Sequence, residues 1–363
     1  MCAVCLDFSA AFDRISHNAL LYKLESLGIG GHLLSILRNF LQCRSQSVVV
    51  DGFCGISCPV VSGVPQGSVL GPILFILFTS DMWDSIENPL ISYADDTTIF
   101  RVIKNASSRA SAALSLNQDL EKIFQWCIRW GMRLNPSKTQ VIYFSRSRTM
   151  IPAHPPLRID DYVLVPSDHI KILGVILDSK LTFKRHILSM VSSLSSKIGI
   201  LRRSLKIFND LAVARRCFFS FLLPIFEYCS PVWGSSRHAS LLNGVLRQIN
   251  RIVPDLHVDL DHRRNVASLC MFFKILNNIR HPANSLVPPN YNCIRNTRNN
   301  LKFNSMALRP PLCRTEQFMR DLIPRCVKIW NFLPEDTVLA PSTHLFKLGV
   351  NSFLSGLVAP FGP

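Results

Sequence analysis

Tyr93-Ala94-Asp95-Asp96 lies between two short apolar stretches, Pro89-Leu90-Ile91 and Thr98-Ile99-Phe100. The stretch reads as two strands joined by a tight turn that carries adjacent carboxylates, the kernel of an antiparallel sheet. Asp is common in ordinary polar turns. Two neighbouring carboxylates at a strand end also suit metal-dependent phosphoryl transfer. Hard Mg²⁺ prefers carboxylate oxygen, and two such ions can clamp the attacking and leaving oxygens of an in-line displacement.

The neighbouring segments favour the second reading. Upstream, Val4-Cys5-Leu6-Asp7-Phe8-Ser9-Ala10-Ala11-Phe12-Asp13 is an apolar strand that ends on an acid and runs into a helix-like stretch. Asp7 stands where a third carboxylate would join Asp95, although a helix N-cap is the plainer role for it. Phe12 is placed to turn back beside a pocket, or simply to pack in the core. Between the acidic segments, Ser62-Gly63-Val64-Pro65-Gln66-Gly67-Ser68-Val69-Leu70-Gly71-Pro72 is a loop punctuated by Gly and Pro. Its glycines allow close approach to a substrate, and the Gln66 amide can hydrogen-bond a base or a backbone group.

In this order, Leu6-Asp7-Phe8-Ser9-Ala10-Ala11-Phe12-Asp13, Gly63 to Pro72 and Tyr93-Ala94-Asp95-Asp96-Thr97 resemble the palm of a reverse transcriptase. More narrowly, they resemble a non-LTR retrotransposon (LINE) enzyme of the jockey-like kind. Trp130-Gly131-Met132-Arg133-Leu134-Asn135-Pro136-Ser137-Lys138-Thr139 is similar to that family's fourth palm motif. Ile170 to Asp178 is similar to its primer-gripping hairpin, although its apolar content also fits core packing.

The resemblance implies RNA-directed DNA synthesis on an RNA template and DNA primer from deoxynucleoside triphosphates. Asp7, Asp95 and Asp96 would hold two Mg²⁺ ions, for which Mn²⁺ can substitute. Phe12 would exclude a ribose 2′-hydroxyl, Gln66 and Gly67 would line the template and nucleotide pocket, and Tyr93 would join the substrate-binding set. Lys138 would protonate the leaving pyrophosphate, as a lysine held near phosphate can. The resemblance further implies an intracellular, nuclear protein. It covers palm and thumb but no fingers region or endonuclease, so a chain truncated at its N-terminus is expected. A catalytically inert, basic RNA- or DNA-binding remnant is the alternative.

Composition agrees with a polyanionic partner. The 363 residues carry a formal charge of +16, with an isoelectric point near 9.6, and Lys and Arg that neutralise phosphates release counterions. No apolar run reaches the roughly 18 residues of a spanning helix, so no membrane role is expected. Met1 leads into the Asp7 strand without a basic leader or cleavage region, which is not the pattern of a secreted chain. The twelve cysteines read as reduced thiols. Cys2 and Cys5 face opposite sides of one strand, Cys54 and Cys58 flank a hairpin, and Cys293, Cys313 and Cys326 are scattered.

Periodicity supplies the remaining elements. Leu20, Leu21, Leu24 and Leu27 predict a helix ended by Gly28 to Gly31, and His32 to Leu41 a second. Ser45 to Val50 and Phe53 to Val61 predict a hairpin about Asp51-Gly52. Leu116, Leu120, Ile123, Phe124 and Cys127 line one face of a further helix, and Thr149 to Ser167 is a Pro-rich excursion. The expected fold is α+β, a polymerase-type palm of small antiparallel sheet packed on helices over residues 1–180. A mainly helical, thumb-like region follows over 181–255, where Lys197, Arg202, Arg203 and Lys206 are interleaved with apolar positions. Residues 256–363 form a C-terminal region in which Phe272, Phe273, Trp330 and Phe332 fit either RNA stacking or a small core.

Overall fold

An unbroken apolar run, covered on both faces, makes Cys2–Leu6 an interior strand of the main sheet in the first part of the protein. The computed structural model describes residues 1–105, 107–145, 156–208, 210–254, 256–290 and 303–358. Residues 149–155 of the Pro-rich excursion and Cys293 lie outside them.

After β1 (Cys2–Leu6) come α1 (His17–Ser26) and α2 (Gly31–Leu41). An interrupted hairpin follows, made of β2 (Ser45–Gln46), β3 (Val49–Val50), β4 (Phe53–Cys54) and β5 (Cys58–Pro59), then α3 (Leu70–Thr79). The acidic hairpin is β6 (Leu90–Tyr93) with β7 (Asp96–Arg101), and α4 (Ser108–Trp130) leads to β8 (Gln140–Tyr143). Two small hairpins close the unit, β9 (Arg158–Ile159) with β10 (Tyr162–Val163) and β11 (His169–Ile172) with β12 (Val175–Asp178).

The main sheet has the order β6-β7-β1-β8 and is antiparallel throughout. Successive side chains on a strand point to opposite faces, and β1 shows the consequence. Cys2, Val4 and Leu6 join Ile99 and Val141 against Leu20, Leu24, Leu74, Phe78, Leu116 and Leu120 of α1, α3 and α4. On the other face, Ala3 and Ile142 pack with Ile170, and Cys5, Phe100, Ile172 and Leu177 cover their edge. The sheet is therefore a middle layer between helices and the β11–β12 hairpin. This hairpin, expected to be buried, has only Ile170 and Val175 buried, because one of its faces looks away from the sheet. Its Leu173-Gly174 turn uses positive φ at both positions, 45° and 84°.

The chain divides into two compact units, residues 1–181 and 182–363. The second is helical among its described residues: α5 (Lys184–Phe208), α6 (Leu211–Cys217), a π-helical turn Phe218–Leu222, α7 (Leu223–Glu227), α8 (Ser230–Trp233), α9 (Leu241–Asn250) and α10 (Leu260–Asn277). These are followed by α11 (Glu316–Arg320), α12 (Leu322–Trp330), α13 (Glu335–Val338) and α14 (Thr343–Val358). Here α10 packs against α7 and α8 as well as α12 and α14, so helices before and after residue 255 share one body. Phe272, Phe273 and Trp330 are buried with Phe346, which makes them core and removes them from base stacking. Phe332 stays half exposed against Phe303.

The charge is divided very unequally. Residues 1–181 hold 16 Lys and Arg against 15 Asp and Glu, whereas residues 182–363 hold 24 against 9. Nearly all of the +16 belongs to the helical unit.

Candidate active site

The Tyr93–Asp96 turn is a two-residue connection, since Tyr93 pairs with Asp96 at the end of the β6–β7 ladder. Ala94 takes φ 53°, a left-handed conformation that a residue with a Cβ adopts only when its surroundings enforce it. The turn thus holds Asp95 and Asp96 at one end of the sheet.

Asp7 arrives at the same place through register. Leu6 pairs with Thr97 on β7, so the next residue, Asp7, stands opposite Asp96. The period-2 pattern puts Asp7, Cys5 and Ala3 on the face away from the helices, and Asp96 and Thr98 share that face. The Cys5 Sγ to Thr98 Oγ1 contact of 3.2 Å bears out the sidedness. Backbone bonds secure the strand end: Asn135 N donates to Asp7 O at 2.8 Å and Ser9 N to Arg133 O at 2.8 Å, while Asp7 N donates to Thr139 Oγ1 at 3.3 Å. Asp7 is therefore no helix cap; it ends a strand flanked by the acidic turn and by the Asn135–Thr139 turn that carries Lys138.

Electrostatics tie these groups together. The Asp7 carboxyl lies above the usual aspartate range, raised first by partial burial and also by Asp95, while Lys138 draws it down. Asp96 is also raised, by partial desolvation and then by the charges of Asp95 and Asp7. Like charges close together disfavour one another's ionised forms. Hard carboxylate donors in mutual repulsion fit a divalent cation. Among the described residues no three His, Cys, Asp or Glu side chains converge tightly enough to enclose one by themselves.

The loop 62–67 docks on the segment after β1. Gly63 N donates to Ile15 O at 2.8 Å and Val64 N to Phe12 O at 2.9 Å, Ser62 Oγ to Asp13 O at 2.9 Å, and buried His17 Nε2 meets Gly63 O at 2.8 Å. This approach requires glycine: a Cβ on Gly63 would lie 2.8 Å from Asp13 Cα. Phe12 is half-buried and stacked on Phe75 with ring centroids 4.5 Å apart. Gln66 is exposed and spends its amide on Asp13, Nε2 donating to Oδ1 at 2.8 Å. Gly67 is exposed at φ 79°, and Tyr93 is exposed beside the turn.

Three further residues carry no signal in the sequence. Lys171 of β11 lines a small cleft with Cys5, Tyr93, Asp96 and Leu173. Arg44 and Gln46 face the 62–66 loop across a larger cavity. Only the pairing of distant strands brings these positions to the site.

Comparison with known proteins identifies the family of the first part of the chain. Residues 1–177 match the family described as reverse transcriptase (RNA-dependent DNA polymerase). The RNA-directed DNA polymerase from mobile element jockey of Drosophila melanogaster is 31% identical over 65% of this chain and 26% of its own length. Its Drosophila funebris counterpart is 34% identical over 57% of this chain and 23% of its own length. A probable RNA-directed DNA polymerase from transposon BS of Drosophila melanogaster is 31% identical over 64% and 26%. The chain thus spans about a quarter of the length of these relatives. A Candida tropicalis telomerase aligns at 15% identity with a TM-score of 0.34, covering 50% of this chain and 34% of that one, a likeness too slight to build on. Residues 1–177 form a reverse transcriptase domain, and the chain is a homologue of the jockey-like retrotransposon polymerases.

Proposed function

We propose that this chain carries out RNA-directed DNA synthesis, the first unit transferring nucleotides and the second holding nucleic acid. The observation that carries the reading is the meeting of Asp7 and Asp96 on one face at the end of a single sheet, with Asp95 in the adjoining turn close enough for its charge to raise both carboxyls. Asp7, Asp95 and Asp96 are the residues to hold two Mg²⁺ ions. Such ions would supply charge that favours the ionised primer 3′-hydroxyl and offsets the charge of the triphosphate.

The side chains around them orient the reactants. Phe12, fixed on Phe75, is a rigid wall suited to rejecting a 2′-hydroxyl. Gly67 has open space above its Cα, which lets a nucleotide approach the backbone. Lys138 is exposed and close enough to influence Asp7, a position from which an ammonium can give its proton to departing pyrophosphate.

In the second unit α5 contains no acidic residue in its 25 positions. Its outward face presents Ser192, Ser196 and Arg203, flanked by Arg202 and Lys206, all exposed. Hydroxyl and guanidinium donors without opposing carboxylates suit a phosphate backbone, and this is the thumb-like role expected of the helix.

Primer extension tests the proposal. The purified chain should extend a DNA primer on an RNA template only with Mg²⁺ present, and Asp95→Ala should abolish extension. Salt-sensitive binding without extension would overturn the enzymatic reading and leave a basic nucleic-acid-binding chain.

A further inference from the structure

The apolar stripe of α5 outruns its cover. Ile187, Met190, Leu194 and Ile198 are buried, but a turn further on Leu201 and Leu205 are only half-buried and Ile200 is exposed. These three line a cleft of about 310 Å³ between α5 and α6, and Val213 and Phe221 form its other wall. Phe221 belongs to the π-helical turn Phe218–Leu222. Phe218 and Leu222 are buried, whereas Phe221 is 70% exposed. Single π-helical turns are rare and frequently found at functional sites.

The border of the cleft is basic. Between Lys184 and Phe226 the one acidic residue, Asp210, stands against eight Lys and Arg. Its carboxylate is already engaged, Oδ1 accepting from Ala212 N at 2.8 Å and Val213 N at 3.0 Å. Lys197 lines the cleft, and Arg216, three residues beyond Val213 and so its neighbour on the helix surface, is exposed. A helical surface offers no unpaired backbone to an added strand, so a third helix is the occupant that suits a cleft between two. From Lys197 to Leu205 the α5 wall is about 12 Å long at 1.5 Å per residue, which matches apolar anchors at i, i+3, i+4 and i+7 of such a helix. Its flanks meet Lys197 and Arg216, which Asp or Glu would complement. A second copy of this chain fits poorly, because its helical unit brings 24 Lys and Arg against 9 Asp and Glu. Phosphates gain nothing from an apolar floor, and Arg202, Arg203 and Lys206 lie off the stripe of Ile200, Leu201, Ser204 and Leu205. We infer that this cleft docks an acidic amphipathic helix of a partner protein, with Phe221 as its main apolar contact and Lys197 and Arg216 as its charged border. Such docking goes beyond the polymerase reading and does not depend on it.

Fluorescence anisotropy of the full chain with a labelled helical peptide tests the docking. The peptide carries Leu at i, i+3, i+4 and i+7 and Glu elsewhere; its controls are a scrambled peptide of the same composition and one with Lys for every Glu. The patterned Glu peptide should bind more tightly than either control. Phe221→Ala and Val213→Asp, both at exposed side chains, should each weaken it by at least about tenfold and leave duplex binding unchanged. Lys197→Glu combined with Arg216→Glu should weaken the Glu peptide and strengthen the Lys peptide. Hydrogen exchange should show protection on peptide binding in segments containing residues 197–205 and 213–222. Failure of the patterned peptide to bind, equal binding of the scrambled one, or protection confined to other segments would overturn the inference. Displacement of the peptide by single-stranded RNA, with Phe221→Ala weakening both alike, would overturn it in favour of base stacking on Phe221.

Discussion

At the scale of single residues, the site works by holding like charges together, and that leaves a mark on stability. The ionised form of Asp96 is disfavoured in the fold. A carboxyl raised in the folded state binds more protons than in the unfolded chain, so stability falls as pH rises from about the ordinary aspartate value through the raised one. Asp96→Asn should therefore raise the melting temperature at neutral pH. The gain should shrink to nothing below the ordinary value of 3.8, where both states are protonated; thermal melts at pH 7 and at acid pH check it, and a gain independent of pH would contradict it. Gly63 is constrained differently. At its φ of 89°, backbone atoms of Phe12 and Asp13 lie 2.8–3.0 Å from the place a Cβ would take. Nothing flexible is there to move, so Gly63→Ala should cost about 2–4 kcal/mol. Gly67→Ala, at φ 79° with open space around it, should cost about 1 kcal/mol, and urea unfolding of the two variants reads the difference. The strand ending on Asp7 and the tight turn carrying Asp95 and Asp96 were legible in the sequence because both are local patterns; the register that sets Asp7 opposite Asp96 is long-range. The partner of Gln66 was not legible, since Asp13 lies 53 positions away and meets it only after the loop docks.

Between elements, one buried cation joins three helical segments. Lys23 of α1 is buried and donates to Phe78 O at 2.7 Å and to Asp81 Oδ1 at 2.5 Å. The rings of Phe78, Trp126 and Trp130 surround its ammonium at 4.7, 4.4 and 4.0 Å. Trp126 Nε1 donates to the same Asp81 oxygen at 3.0 Å, so α1, the end of α3 and α4 are latched together beneath the sheet. Methionine matches the stem but supplies neither charge nor donor. Asp81 is 43% exposed and can recover water, which limits the loss. Lys23→Met should destabilise by about 1–2 kcal/mol, measured by chemical denaturation, and an unchanged midpoint would show that the latch contributes nothing. Of the helices around it, α1 and α4 were readable from their apolar spacing, whereas α3 was visible only as an apolar run. The latch was not readable, because a lysine inside an apolar stripe looks the same as one at its solvent edge until packing is known. The same limit applied to Phe272, Phe273 and Trp330, whose spacing allowed either stacking or core and whose burial decides for core.

Across the whole molecule, chemistry and charge are housed apart. The sheet with its carboxylates sits in a unit of almost balanced charge, and the surplus belongs to the helical unit. A balanced first unit spares the acidic site a strong background field, and a basic second unit can bind phosphates without competing carboxylates. The total charge was plain from composition, and its partition follows the boundary at residue 181, where the sequence changes from strands to helices without a Gly- or Ser-rich linker. The partition predicts where salt dependence originates. Replacing Arg202, Arg203 and Lys206 together by alanine should flatten the slope of log affinity against log salt for a duplex by up to about 2.7, at about 0.9 per phosphate contact. Replacing Arg38 and Arg129, equally exposed on the first unit, should leave the slope unchanged. Equal flattening in both variants, read by fluorescence anisotropy across a salt series, would mean that nucleic acid is held by charge over the whole surface and that α5 has no special part in binding.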